Sequence, residues 1–189
     1  EERKETILAC GHCMMCHVAD RVASLVRRES YTPRGRGAIL FALEQGLLKP
    51  DKVVADIMYT TLNDGLLLEW CLGNYDQEEL IIDTRARLFQ QGLAPDSVVD
   101  FIKTVHKDQG KGSSPKEILS QAGVAMDEGS ETLVFCGCTS LESENHTIVS
   151  LGRILTGALK KFQVMENESC CGWPLYQLGD WEGAKSYST

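Results

Sequence analysis

Three cysteines recur at every third position in Cys10-Gly11-His12-Cys13-Met14-Met15-Cys16, and a fourth, Cys71, stands far downstream. A chain that commits three thiols to one short loop must fold so that the loop is held and a distant thiol returns to it. Thiolates at this spacing, on a loop that runs into a helix, suit three corners of an iron–sulfur cube and leave the fourth iron to a remote ligand. Zinc more often draws its four tetrahedral ligands from two separate Cys-x-x-Cys pairs. Two other readings of the same residues stay open: a zinc site completed by His12 or His17, and a redox-active Cys-x-x-Cys disulfide. With iron, the two histidines are neighbours that shield the site or donate a hydrogen bond to sulfur.

The 189 residues hold eight cysteines, at positions 10, 13, 16, 71, 136, 138, 170 and 171. They fall in tight groups, and adjacent Cys170-Cys171 is awkward for structural bridges, so metal or redox chemistry in a reducing compartment is expected. With 19 basic against 27 acidic residues the net charge is −8, which disfavours nucleic acid as a partner. No apolar run approaches membrane-spanning length and no signal peptide is evident, although the chain opens on Glu1-Glu2-Arg3 without a methionine. The expectation is a cytoplasmic protein with no span of its own, peripheral to a membrane only through partners.

Residues 17–29 read as one helix with Val18, Val22, Leu25 and Val26 on a shared face. A second helix covers 37–45 and stops at Gly46; a third opens at Pro50-Asp51 and carries Val53, Val54, Ile57 and Met58. Helices follow over 78–91, with Leu80, Ile81, Arg85 and Leu88 at helical intervals and Gly92 as the stop, and over 97–107 behind Pro95-Asp96. Residues 1–107 thus read as an all-helical domain, and 108–130 as a linker that includes a short helix at 115–121. From 131 to 189 the pattern changes. Thr132-Leu133-Val134-Phe135 suits a buried strand, 147–161 a helix and 162–165 a second strand, giving a β-α-β unit with parallel strands. Cys136 and Cys138 follow the first strand, Cys170 and Cys171 the second, so the four thiols can converge on one sheet edge. The fold class expected is α followed by α/β.

From residue 6 to about 107 the sequence resembles the alpha-helical ferredoxin module of heterodisulfide reductase C/D-like iron–sulfur subunits, also found in glycerol-3-phosphate, glycolate and lactate oxidising complexes. The likeness rests on the Cys10, Cys13, Cys16 box and on the turn Thr32-Pro33-Arg34-Gly35. Members carry two boxes of the form CxxCxxCxxxCP, and each cluster takes three cysteines from one box and the fourth from the end of the other. Here Asp20 stands where the first box would end. Cys71 aligns with the end of the second, whose other positions fall on Thr61, Asp64 and Leu67. The ligands of one cluster are lost together. The resemblance therefore implies one 4Fe-4S cluster on Cys10, Cys13, Cys16 and Cys71; the alternative is that Cys71 is an ordinary buried cysteine.

Residues 131–185 resemble the CCG domain of the same subunits, through Cys138, Cys170-Cys171-Gly172-Trp173-Pro174 and Gly179. Complete domains add a later Cys-x-x-Cys and hold a noncubane cluster, so the resemblance implies a partial domain here, with Cys136 in a position usually held by proline. Its thiols leave several outcomes open: a second iron–sulfur site, zinc on Cys136, Cys138, Cys170 and Cys171, a reversible disulfide, or inert thiols with Trp173 as a core aromatic.

Arg27, Arg28, Arg34 and Arg36 form a basic patch in an acidic chain, suited to a reduced cluster or an acidic partner, or else a solvated helix end. His106 and His146 have no spaced ligand partners and read as surface residues. No phosphate-cradling glycine loop, nucleophile triad or paired-carboxylate motif occurs, so no residue is singled out as catalytic. Residues and resemblance together imply an iron–sulfur subunit of an oxidoreductase complex, passing single electrons between a flavin- or quinone-linked partner and a catalytic subunit. Its partners would be the other subunits, a flavoprotein among them. A disulfide reductase acting at the CCG site and a zinc-binding structural module are the alternatives.

Overall fold

The computed structural model describes residues 2–108, 113–158, 161–166 and 168–187. Among these the chain is mostly helical, with one small parallel sheet. The helices before the sheet are α1 (Glu2–Leu8), α2 (Arg21–Val26), α3 (Pro33–Glu44), α4 (Lys52–Tyr59), α5 (Leu66–Glu69), α6 (Gln77–Gln90), α7 (Asp96–Asp108) and α8 (Pro115–Gln121). Then come β1 (Leu133–Val134), α9 (Cys138–Glu142), α10 (Asn145–Ala158), β2 (Gln163–Val164), α11 (Trp173–Leu178) and α12 (Trp181–Ser186). Two 3₁₀ turns, Met15–Ala19 and Glu29–Tyr31, flank α2. No helix among the described residues is long and apolar enough to cross a membrane.

The chain divides into two units. The first is Glu1–Ile102 with Pro174–Glu182, the second Lys103–Trp173 with Gly183–Thr189. This differs from the division expected from sequence in two ways. The boundary falls inside α7, so the expected linker at 108–130 is part of the second unit, although residues 109–112 lie outside the described residues. Its helix α8 supplies Leu119 to the second core, and Val124 follows it there. Meanwhile 174–182 leaves the C-terminal part to join the first unit. Arg85 explains why: its buried guanidinium donates to the carbonyls of Met58 (2.9 Å), Thr61 (3.1 Å) and Gln177 (3.1 Å). Tyr59 Oη donates to Leu178 O at 2.9 Å, and Gly179, at φ 94°, lies so close that a Cβ would sit 2.6 Å from the Arg85 carbonyl carbon.

In the first unit the helix starts follow their caps. Asp51 accepts from Val54 N–H (2.8 Å) and Asp76 from Glu78 N–H (3.1 Å), closing the first turns of α4 and α6. Ile7, Leu40, Met58, Ile81 and Leu88 make the core between α1, α3, α4 and α6. The single helix expected over 17–29 is instead a 3₁₀ turn and α2, because the Asp20 carboxylate caps α2 by accepting from Ala23 N–H at 2.9 Å. The face expected to be buried is not: Val18 is 68% and Leu25 83% exposed, and Ala23 is the residue buried. The expected helix at 37–45 starts earlier, at Pro33. Thr32 Oγ1 accepts from Gly35 N–H (3.0 Å), proline stands at the first position, and a Cβ on Gly35 would overlap the Glu29 carbonyl oxygen.

In the second unit β1 and β2 pair in parallel, Leu133 with Gln163 and Val134 with Val164, joined through α9 and α10. The strands are half the expected length; α10 begins two residues before the expected 147, residues 159 and 160 lie outside the described residues, and Lys161, the expected end, is not helical. Leu133 and Phe135 are more than half exposed, so the run is not the buried strand expected; only one face of this two-stranded ribbon meets the core of Leu119, Leu141, Ile148 and Phe162. Gly152 of α10 lets Leu119 close in, since a Cβ there would sit 2.7 Å from Leu119 Cδ2.

Candidate metal centre

α1 ends just before Cys10, the loop through Gly11 and His12 presents Cys13, and the first 3₁₀ turn carries Cys16. Cys71 arrives from the other side, behind α5. All four thiols line one cavity of about 270 Å³, together with His12, Arg34, Tyr75 and Gln77. Cys10, Cys16 and Cys71 are half-buried and Cys13 is exposed. The chain wraps Cys71 closely: Tyr75 N–H donates to Cys71 Sγ at 3.2 Å, and Asn74 takes a positive φ of 50° to bring it there. Gly37 of α3 leaves room for Cys10, since a Cβ would stand 3.1 Å from Cys10 Sγ.

Burial is the main reason the Cys10 and Cys16 thiols are pushed up, and the neighbouring cysteines push the same way. Four thiolates in one half-buried cavity repel one another, and a cationic metal core reverses that balance. All four side chains are thiols, the donor type such a core takes. Among the described residues no three His, Cys, Asp or Glu gather tightly enough to hold a single metal ion. The four thiols line the same cavity without converging on one point.

Asp20, Thr61, Asp64 and Leu67, the positions that the resemblance in sequence would give to a second cluster, also meet in space. They line a pocket of about 10 Å³, hardly room for one water. Its interior is occupied by side chains. Leu67 is buried, and the Asp20 carboxylate pairs with Arg36, whose guanidinium also donates to Tyr31 O (2.7 Å) and Gln77 Oε1 (3.3 Å). Arg36 is 0% exposed, so the expected four-arginine surface patch does not form. Arg34 pairs with Glu29 at 2.7 Å and Arg28 lies over the Tyr31 ring. His12 is exposed at the cavity, edge-on to Phe41; His17 does not line it.

At the second cysteine group the thiols separate. The neighbours that act on Cys170 are Cys138 and Cys171, whereas Cys136 faces Glu168. The buried Glu168 carboxylate accepts from the N–H groups of Cys136 and Gly137, both at 2.8 Å. Burial first, then this carboxylate, pushes the Cys136 thiol up to about 12. Cys170 is buried and Cys171 exposed. Gly172, at φ 76°, is required because a Cβ would stand 2.7 Å from Ala184 O. Trp173, a core aromatic on the inert-thiol alternative, is 55% exposed.

Sequence reasoning missed Glu168, Tyr75, Gln77 and Gly37. No spacing rule marks them, and each matters through a contact made across the fold. Against protein-family models, curated proteins and solved structures alike, the chain has no match.

Proposed function

We propose that this chain is an iron–sulfur electron-transfer subunit in which Cys10, Cys13, Cys16 and Cys71 hold one 4Fe-4S cluster. The observation that carries this is that a cysteine from beyond α5 lines the same cavity as the three-cysteine loop. Bound there, the cluster would supply one-electron transfer. The chain's own residues bind it through four thiolates, keep three of those half-buried from water, and direct the Tyr75 N–H at the Cys71 sulfur. The helices before β1 then correspond to a ferredoxin-type module, and residues 131–185 to a CCG domain of the heterodisulfide reductase C/D-like kind. The packed, ion-paired pocket at Asp20 and Leu67 leaves no space for a second cluster, which agrees with one; such a subunit would pass its electron to another subunit or cofactor, a flavoprotein being the partner class expected.

Anaerobic reconstitution tests this directly. About four irons and four sulfides per chain are expected for a cube, with an electron paramagnetic resonance signal on reduction. Cys71→Ser should lose or convert the cluster, and Thr61→Ala should keep it. A colourless protein that takes up one zinc instead would overturn the proposal.

A further inference from the structure

The cavity lined by the four thiols opens where Cys13 is exposed, and large apolar side chains stand around that mouth. Met14 and Met15 follow Cys13 in the chain, and Trp70 and Leu72 flank Cys71. Leu72, itself part of the cavity wall, is 82% exposed, and the other three are about half exposed. Apolar residues scattered singly over a surface are ordinary, whereas a group gathered at one opening marks a surface that another molecule covers. Tryptophan and methionine are also enriched at protein interfaces. The charges beside the mouth are uneven. Leu67 lines both the thiol cavity and the small pocket next to it, which Arg21 also lines. The first 3₁₀ turn packs against both α5 and α2, and Arg21 and Arg27 stand at the two ends of α2. The ion pairs of this region are Asp20–Arg36, which is buried, and Glu29–Arg34. Among the described residues Arg21 and Arg27 form no ion pair, and Arg28 lies over the Tyr31 ring. On the α5 side Asp64 accepts from Leu66 N–H at 3.2 Å and Glu69 is exposed, so the free positive charge lies on the α2 side. A net charge of −8 on every copy opposes pairing of the chain with itself and leaves a different protein as the fitting occupant.

We propose that this rim is the docking surface for a redox protein that presents an apolar centre and an acidic edge, the edge lying over α2; the inference deepens the electron-transfer function above and rests on it. Contact there brings the partner's redox group to the Cys13 side of the cavity, where a thiol is exposed. Arg21, Arg27 and Arg28 steer the encounter, and Met14, Met15, Trp70 and Leu72 exclude water once it is made. With a reduced flavin as donor, one electron leaves the flavin, which becomes its semiquinone, and passes to the cluster. No bond between heavy atoms forms or breaks.

The probe is flavodoxin, a small acidic flavoprotein, mixed with the full chain after anaerobic reconstitution and iron and sulfide analysis. Stopped-flow absorbance follows semiquinone formation from reduced flavodoxin at low and high ionic strength, and calorimetry measures binding of the oxidised form without any electron transfer. The second-order rate should fall as salt rises. At low salt the double variant Arg21→Glu, Arg27→Glu should be slower by about tenfold and lose that salt dependence. Lys49→Glu, Lys52→Glu changes the net charge equally but lies at the start of α4, and its rate should stay within about twofold. Trp70→Ala should weaken the calorimetric affinity by about tenfold at either ionic strength. If both double variants slow the reaction alike, only overall charge matters and the docking surface is overturned. It is overturned equally if Trp70→Ala binds as the unaltered chain does, if sedimentation shows a dimer that Trp70→Ala dissociates, or if the arginines serve phosphatidylglycerol vesicles and not flavodoxin. An unaltered chain that takes up no iron overturns the electron-transfer function, and this inference with it; the other outcomes are read on a loaded chain and leave that function standing.

Discussion

Asp20 and Arg36 are both charged and both buried, and each satisfies the other. Asp20 also caps α2, and Arg36 also donates to Tyr31 O and Gln77 Oε1. Removing one member strands the other charge, so Asp20→Ala should lower stability by about 3–5 kcal/mol in urea denaturation. The double change Asp20→Leu, Arg36→Met should cost much less, since no charge is left behind. A single-mutant loss no larger than that of the double mutant would show that the pair is not what holds this corner. A second expectation concerns Cys136. Its thiol is raised to about 12, and the thiolate is the nucleophile, so at pH 8 iodoacetamide should label the exposed Cys171 well before Cys136. Glu168→Gln removes the negative charge that helps hold the proton on sulfur, so the Cys136 thiol should fall and its labelling quicken, as mass spectrometry of the modified peptides would record.

Among the elements, helices announced by a proline or aspartate and ended by a glycine were legible from sequence: α8 spans the residues expected, and α6 differs by one residue at each end. The short elements around the cysteine loop were not. Valine and leucine spacing favours one helix over 17–29, yet a single carboxylate at Asp20 restarts the helix there, and its partner Arg36 is invisible to any local pattern because charged residues read as surface. The same limit applies to the cavity: the cysteines stand out in the sequence, whereas Tyr75 and Gly37 belong to the site only through packing. The start of α3 connects these two levels. Gly35 touches the Glu29 carbonyl directly, and Arg36 and Gly37 follow it in the same turn of α3. Gly35→Ala must push the Glu29–Tyr31 turn away, and should destabilise the chain by about 1–3 kcal/mol, as overpacking does. Ser97→Ala, on exposed surface at the start of α7, should leave the thermal midpoint unchanged and serves as the control.

At the scale of the whole molecule, the unexpected feature is that residues 174–182 belong to the first unit although a separate set of strands and helices lies between. From sequence alone, a fragment ending at residue 107 looks like a complete domain. The structure argues otherwise, because Arg85 is buried and one of its carbonyl partners, Gln177, lies outside that fragment. Burial lowers the guanidinium to about 10. Without 174–182, Arg85 loses the Gln177 carbonyl, a hydrogen bond from a charged group worth about 1.5–3 kcal/mol, and Tyr59 loses Leu178 O, a neutral one worth about 0.5–1.5 kcal/mol. Fragment 1–107 should therefore unfold at a lower urea concentration than the same helices in the full chain, with faster amide exchange at the ends of α4 and α6. The full chain carrying Gly179→Ala should behave alike, since the added methyl meets the α6 backbone at Arg85 and Ala86. If the fragment matches the full chain in both measurements, then 174–182 merely rests on the first unit, and the boundary read from sequence is the physical one.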